Sequence, residues 1–358
     1  MSNNKQNVYI AGMGVITPLG DSVEKTVAAV NADISAYQLS EYFTDNQQPI
    51  TTAIIPEEIF NSFENDIDEG DLYGEVYDHI IKMSIIALRE TFSQADITKP
   101  VPLILSMPES NPSVETIPLN LLTKNILNQD DIPIDPTQIR SIATGRAGVI
   151  QSIELAQRYL YEMGQDYVVI GGADCYLEYP VLQYFDKEQR LNSTGSMDGF
   201  VPGEAAGFLL VTKQASAALN VDNKVISLNT PGIAQEAGHF KSEEIYRGDG
   251  LDKSFKNALL SNKFPITRVY SSMNGESFWA KENGVAMMRN KKHFHENVTT
   301  EHPADCYGDL GAATGSVLLA LSASQLMKNK AENNHLVYTS SDNEWRASVV
   351  VSKINLPN

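Results

Sequence analysis

Cysteine is scarce in this sequence, and basic residues are few beside acidic ones. Only Cys175 and Cys306 occur among 358 residues. Two thiols exclude a disulfide framework and fit a reducing compartment, so a cytoplasmic protein is expected. Lys and Arg number 27 against 45 Asp and Glu, a net charge of −18. So acidic a chain repels phosphate backbones and anionic lipid at long range, and neither nucleic acid nor a membrane surface is expected as a partner. No run approaches about 18 unbroken apolar residues, so no transmembrane helix is expected. The apolar run from Val8 to Thr17 has only Lys5 before it, is interrupted by Gly12 and Gly14, and meets Pro18. That is the pattern of a strand and turn rather than of a signal peptide. With 42% hydrophobic and 20% charged residues the chain is globular. Its length allows two domains or one large fold of two similar halves.

Strands and helices alternate along the chain. Val8 to Ala11 reads as a buried strand followed by a glycine-rich turn, and Asp21 as the cap of a helix running to about Val30. Residues 40–74 are polar and acidic and read mostly as loop. Val76, Ile80, Met83 and Ala87 recur at helical spacing. Val101 to Met107 reads as a strand, 145–163 as a helix with Gly164 as its stop, Tyr167 to Ile170 and Ala205 to Val211 as strands. Val269 to Ser272, an apolar helix over 311–327, and strands at His335 to Tyr338 and Ala347 to Val351 partly repeat that order. This is an α/β pattern with buried sheets. The best boundary lies near 213–225, dividing the chain into halves 1–220 and 221–358 of one compact body.

Several short motifs carry little chemistry. Gly12-Met13-Gly14 lacks the third glycine of a dinucleotide fingerprint, since position 17 is Thr17, and reads as a tight turn. Glu64, Asp66, Asp68 and Glu75 have calcium-loop spacing, but the position that needs glycine is Glu69, with Gly70 one place late. They read as a solvated acidic loop. Ser22-x-x-Lys25 and Ser341-Asp342-Asn343 match two elements of the penicillin-binding enzymes, and the Lys-Thr-Gly element is missing. The six histidines form no zinc pattern with the cysteines, so no metal is expected. His302 stands four residues before Cys306, with nothing to signal an activated thiolate.

The segment Asp198-Gly199-Phe200-Val201-Pro202-Gly203-Glu204-Ala205-Ala206-Gly207 is specific. With it go the opening 8–20, Gly171-Gly172-Ala173-Asp174 and Leu310-Gly311-Ala312-Ala313. Through these four segments, in order, nearly the whole chain resembles the β-ketoacyl-acyl-carrier-protein synthases of the thiolase-like superfamily. The resemblance implies a thiolase-like α/β fold, two related halves stacked in five layers. It also implies a homodimer, with the strand over about 137–141 near the interface.

It further implies where a nucleophilic cysteine and two histidines belong. In Ser141-Ile142-Ala143-Thr144-Gly145 the cysteine position is Ile142, which has no lone pair to acylate. The first histidine position falls on Asn274 of Asn274-Gly275-Glu276, and the second on Gly308, with Asp309 adjacent. The family lysine falls on Pro303, and Ser340-Ser341-Asp342-Asn343-Glu344 replaces the glycine-phenylalanine gate loop. Loss of such a nucleophile alone costs many orders of magnitude in rate, so no catalytic residue and no cofactor are expected.

The resemblance is closest to a shorter, degenerate branch, through Leu105-Ser106-Met107-Pro108-Glu109, the Asn-Gly-Glu run and His302-Pro303-Ala304-Asp305-Cys306. Members of that branch are often encoded beside type VI secretion effectors, which implies an accessory or adaptor with a secreted effector as partner. Two alternatives stay open: a non-catalytic partner subunit of an active synthase, as chain-length factors are, or an acyltransferase with chemistry relocated to Cys306, Asp309 or Asn274. Ile142 reads equally as core filler, Asn274 and Asp309 as turn residues satisfying loop amides, and Arg146 either as the partner of a buried carboxylate or as a residue reaching a protein partner. Trp279, Tyr307 and Trp345 read as core, pocket wall or interface anchors.

Overall fold

A computed structural model describes residues 6–63, 75–111, 114–196, 198–260, 262 and 264–356. The first half contains β1 (Val8–Ile16), α1 (Val23–Asn31), a hairpin of β2 (Tyr37–Phe43) and β3 (Pro49–Ala53), α2 (Glu75–Phe92), β4 (Val101–Ser106), α3 (Leu119–Leu127), β5 (Ile134–Ile142), α4 (Gly148–Tyr161), β6 (Tyr167–Cys175), α5 (Tyr179–Lys187) and β7 (Glu204–Thr212). The second contains β8 (Asn220–Val221), β9 (Lys224–Leu228), β10 (Gly232–Gln235), α6 (Asp249–Leu259), β11 (Ile266–Ser271), α7 (Ser277–Arg289), β12 (Phe294–Glu301), α8 (Ala304–Tyr307), α9 (Thr314–Lys328), β13 (Asn334–Ser340) and β14 (Trp345–Asn355).

The strand order repeats. In the first half it is β5-β4-β6-β7-β1, in the second β12-β11-β13-β14-β9. In each the first three strands are mutually parallel and the last two antiparallel. Helices α4 and α9 lie between the two sets of strands. Ile150, Ile153 and Leu160 of α4 share one core with Val317, Leu318 and Leu321 of α9, with Ile170 and Leu209 on one side and Val337 and Val349 on the other. Helices α2 and α3 cover the outer face of the first sheet and α6 and α7 that of the second. These are the five layers implied by the resemblance. The two sheets are not separate, because Val8 and Tyr9 of β1 pair with Leu228 and Ser227 of β9 and join them into one ladder.

Local expectations need three corrections. Gly12 and Gly14 form no turn; they sit inside β1, where α2 presses so close that a Cβ would fall 2.3 Å from the Thr91 carbonyl oxygen and 2.0 Å from that of Ala87. The turn comes later, closed by Thr17 and Gly20. The cap of α1 is Ser22, whose Oγ accepts from Lys25 N at 3.4 Å, while Asp21 pairs with Lys25. Within 40–74, which reads as loop, stand the end of β2, all of β3 and a 3-10 turn, Glu57–Phe63. The suggested calcium-loop residues Glu64, Asp66, Asp68, Glu69 and Gly70 lie outside the described residues, and Glu75 opens α2. Among the described residues no helix is long and apolar enough to cross a membrane.

Candidate functional site: a buried arginine–carboxylate cluster

Two glycines with positive φ start matching turns. Gly145 (φ 58°) follows β5 and leads through a 3-10 turn into α4; Gly311 (φ 50°) does the same for α9. Arg146, in the first turn, is only 2% exposed despite its charge. Burying a guanidinium is tolerable only with paired and hydrogen-bonded partners, and they come from distant segments. Arg146 Nε donates to both oxygens of Asp309 at 3.0 and 2.9 Å, and its Nη2 also reaches Asp309 Oδ2. Its Nη1 donates to Asp342 Oδ1 at 2.8 Å.

Asp342 is shared. Arg190, also buried, donates to it through Nη1 at 2.5 Å and clamps Glu276 through Nε and Nη2 at 2.7 and 2.9 Å. Asn274 closes the ring: its Nδ2 donates to Asp309 Oδ2 at 2.7 Å and Glu276 Oε2 at 3.0 Å. Trp279 Nε1 donates to the same Glu276 oxygen at 2.9 Å. The guanidinium of Arg190 lies 3.9 Å from the Phe240 ring centre, and that of Arg146 lies 5.5 Å from Trp279. Glu109 accepts from Asp342 N and Asn343 N at 2.8 and 3.1 Å and is 3.6 Å from Lys241.

Electrostatics follow from this geometry. Burial alone raises Asp342, but Arg190 and then Arg146 hold its carboxyl far below the usual range. Burial alone lowers Arg146, and Asp309 and Asp342 reverse this, so it stays protonated. Glu109 moves up, first by burial and then by the Asp342 charge. Asp174 faces the same loop, where Oδ2 accepts Ala312 N at 2.8 Å and Oδ1 accepts Cys175 N at 2.9 Å. Burial raises it to about 7, against the pull of those two amides.

The folded value of Asp174 therefore lies above its ordinary 3.8. Its contribution is full below that value and is lost as pH rises through about 7. The difference in unfolding free energy between the wild type and Asp174→Asn should fall by up to about 4 kcal/mol from pH 4 to pH 8, a shift of roughly three units at 1.36 kcal/mol each. Urea titrations at four pH values measure it, and a flat difference would contradict it.

The structure brings Asn274 and Asp309 into one cluster with Arg146. Both also serve their own loops, Asn274 accepting from Glu276 N and Asp309 from Gly311 N. Ile142, at the end of β5, is half-buried against the central core and brings no polar atom. Gly308 has φ 79°, and a Cβ there would lie 2.7 Å from the Val201 carbonyl oxygen. The 198–207 segment causes this, because Asp309 N donates to Val201 O and Gly203 N to Asp309 O.

Cys306 is no thiolate: burial and then Asp305 push its thiol up, and His302 bonds instead to Ser271 Oγ at 2.8 Å. Cys175 is buried 3.5 Å from Glu204 and is raised further. Trp279 and Tyr307 are core, and Trp345 packs at the core edge. Ser22 is a helix cap and Ser341 holds Ala147 N and Thr144 O, so neither takes part in a constellation like that of the penicillin-binding enzymes. A cavity beside the cluster, lined by Glu109, Asp174, Tyr176, Glu178 and Asp342, measures about 60 Å³. That is room for a few waters, against about 300–1,000 Å³ for an ordinary ligand pocket.

Sequence reading missed Arg190, Glu109 and the ring itself. The available signal was an arginine or carboxylate set in otherwise apolar motifs, as in Gly145-Arg146-Ala147 and Leu105-Ser106-Met107-Pro108-Glu109.

No family model and no curated protein matches the sequence. Solved structures do. The ishigamide ketosynthase/chain length factor superposes with a TM-score of 0.75 at 14% identity, over 97% of this chain and 99% of that one. The chain has the ketosynthase fold. The ketosynthase from module 6 of the bacillaene synthase of Bacillus subtilis 168 gives 0.74 at 14% identity, over 97% of this chain and 72% of that one. A ketosynthase in complex with its chain length factor from Xenorhabdus doucetiae gives 0.69 at 15% identity, over 98% and 99%. The ring takes in Asn274, Asp309 next to Gly308, and Arg146 four residues after Ile142, positions on or beside those the sequence resemblance singles out.

Proposed function

We propose that this protein is a non-catalytic ketosynthase-like body that works by binding another protein, as an accessory or adaptor, with handling of a secreted effector, of the type VI kind, as its setting. The cluster at the elbow carries the non-catalytic part. Ile142 offers no nucleophile, the arginines hold their protons and Asp342 is held ionised between two guanidiniums, so none of these is poised to move a proton near neutral pH; Asp174 beside them, raised to about 7, has both carboxylate oxygens tied to backbone amides. The effector part rests on the resemblance to the degenerate branch.

A second reading has its own support. One fold neighbour is a ketosynthase in complex with its chain length factor. Strand β5 is the outermost strand of its sheet, with only Ile134 fully buried, so it can take a second subunit, either a copy of this chain or a cysteine-bearing homologue. Purification from the native host, with mass spectrometry of co-purifying proteins and of the intact chain, separates the readings. A large secreted protein in stoichiometric amount with an unmodified chain supports the adaptor. A cysteine-bearing synthase or an acyl carrier protein supports the partner subunit instead. A covalent acyl adduct overturns both.

A further inference from the structure

Residues 26–81 contain no lysine or arginine, but they include Asp33, Glu41, Asp45, Glu57 and Glu58. The β2–β3 hairpin stands in this stretch and exposes large apolar side chains in close succession. Leu39 is 63% exposed, Phe43 56% and Ile34 55%, with Tyr37 and Tyr42 at 37% each. Scattered exposed apolar residues need no explanation, but five within ten positions form a patch of the kind that marks an interaction site.

The backbone beside the patch is also open. The hairpin sheet has the order β2-β3. The far side of β3 is occupied, with Thr51 N donating to Asn192 O at 3.0 Å and Ala53 N to Pro202 O at 2.9 Å. On its far side β2 has no strand among the described residues. An open edge usually carries a lysine, a proline or a bulge against unwanted pairing. Here the irregularity lies between Leu39 and Phe43, and Glu41 is the sole charge on the strand. The hairpin is also fixed in place. Ala36 N donates to Cys306 O at 2.8 Å, Tyr37 Oη to Ala304 O at 2.6 Å and Asp45 N to Asp186 Oδ2 at 2.6 Å. A fixed edge binds a strand without first paying to order itself.

We propose that the free edge and apolar side chains of β2 form a docking strip for an extended segment of another protein, one that alternates apolar with basic residues and adds to the hairpin as a third strand. Main-chain hydrogen bonds would hold it and alternate side chains would select it. Charge decides the occupant. The exposed Asp33, Glu41 and Asp45 flank the strip with no nearby cation in sequence. A second copy would bring the same carboxylates against these, and like charges across strands destabilise. The strip does not depend on the loss of catalytic residues, so it and the accessory reading can fail separately.

The test uses the full chain and a fluorescein-labelled peptide of about eight residues that alternates valine with lysine, followed by anisotropy. Saturable binding is expected, weakened by added salt. A Leu39→Lys/Phe43→Lys double variant should bind at least about tenfold more weakly, since two apolar side chains lose their burial. Both residues are exposed, so its melting temperature should be unchanged; Leu39→Ser/Phe43→Ser replaces it if the charges misfold the hairpin. Absence of binding overturns the proposal. So does equal binding of a valine–glutamate peptide or of one interrupted by proline, and so does undiminished binding by the double variant. Sedimentation showing a dimer that the double variant abolishes would also overturn it, because the occupant would then be a second copy.

Discussion

Replacing Arg146 with methionine is expected to cost about 3–5 kcal/mol of folding stability, the usual effect of breaking a buried ion pair from one side. The substitution keeps much of the volume and removes the charge. It leaves Asp309, otherwise held by Asn274 Nδ2 and Gly311 N, without a guanidinium in a site that is 3% exposed. Asp342 keeps Arg190 but loses its second cation. Urea unfolding followed by circular dichroism gives the number, and a loss below about 1 kcal/mol would show that the cluster is hydrated rather than buried. The acid limb gives a second readout. Asp342 folds with its carboxyl below the ordinary 3.8, so its stabilisation is full above that value and lost as pH falls through the folded one. With one arginine gone the folded value rises, and acid unfolding should begin at higher pH. Arg146→Met combined with Asp309→Leu should cost less than the two single changes added together, because the second change removes the charge that the first leaves stranded.

Restoring a histidine at the second expected position should fail structurally before it can succeed chemically. Gly308→His places a Cβ at φ 79°, 2.7 Å from the Val201 carbonyl oxygen and 3.3 Å from the Ala53 side chain. Left-handed strain of about 1–3 kcal/mol and overpacking of about 1–3 kcal/mol together predict a loss of roughly 2–6 kcal/mol. Gly308→Ala should already show most of it, since the Cβ makes the clash. Ile142→Cys meets no such barrier, because Ile142 is half-buried at the end of β5. That variant should fold normally and remain unacylated by an acyl thioester, which intact mass spectrometry reads directly. The pair of results would show which of the two positions is closed to the new residue by the backbone and which admits it without loss of stability.

The central layers could be read from residues because their periodicity is undisturbed. Ile150, Ile153 and Leu160 mark α4, and the unbroken burial of Glu204–Thr212 follows from a strand covered on both faces. The hairpin escaped because β2 is exposed on both faces and Gln38, Ser40 and Glu41 erase its alternation. Gly12 and Gly14 misled for a related reason: glycine marks both a turn and a close approach, and only the position of α2 decides between them. At the site, motifs singled out Ile142, Asn274, Gly308 and Asp309 one by one. The ring could not, because Arg146, Arg190, Glu276, Asp309 and Asp342 come from five segments whose meeting depends on the completed fold.

The repeated strand order sets a timetable for synthesis. β1 lies between β7 and β9, so during synthesis it has no strand partner until residue 204 and is flanked on both sides only after residue 228. At about 5–20 residues per second, roughly 200 residues take about 10–40 s. For that interval Val8–Ile16, an apolar strand destined for the interior, is an open edge in an unfinished chain. The nascent protein therefore offers chaperones a target in Val8–Ile16, and a chain cut short before residue 204 would leave that strand unsheltered.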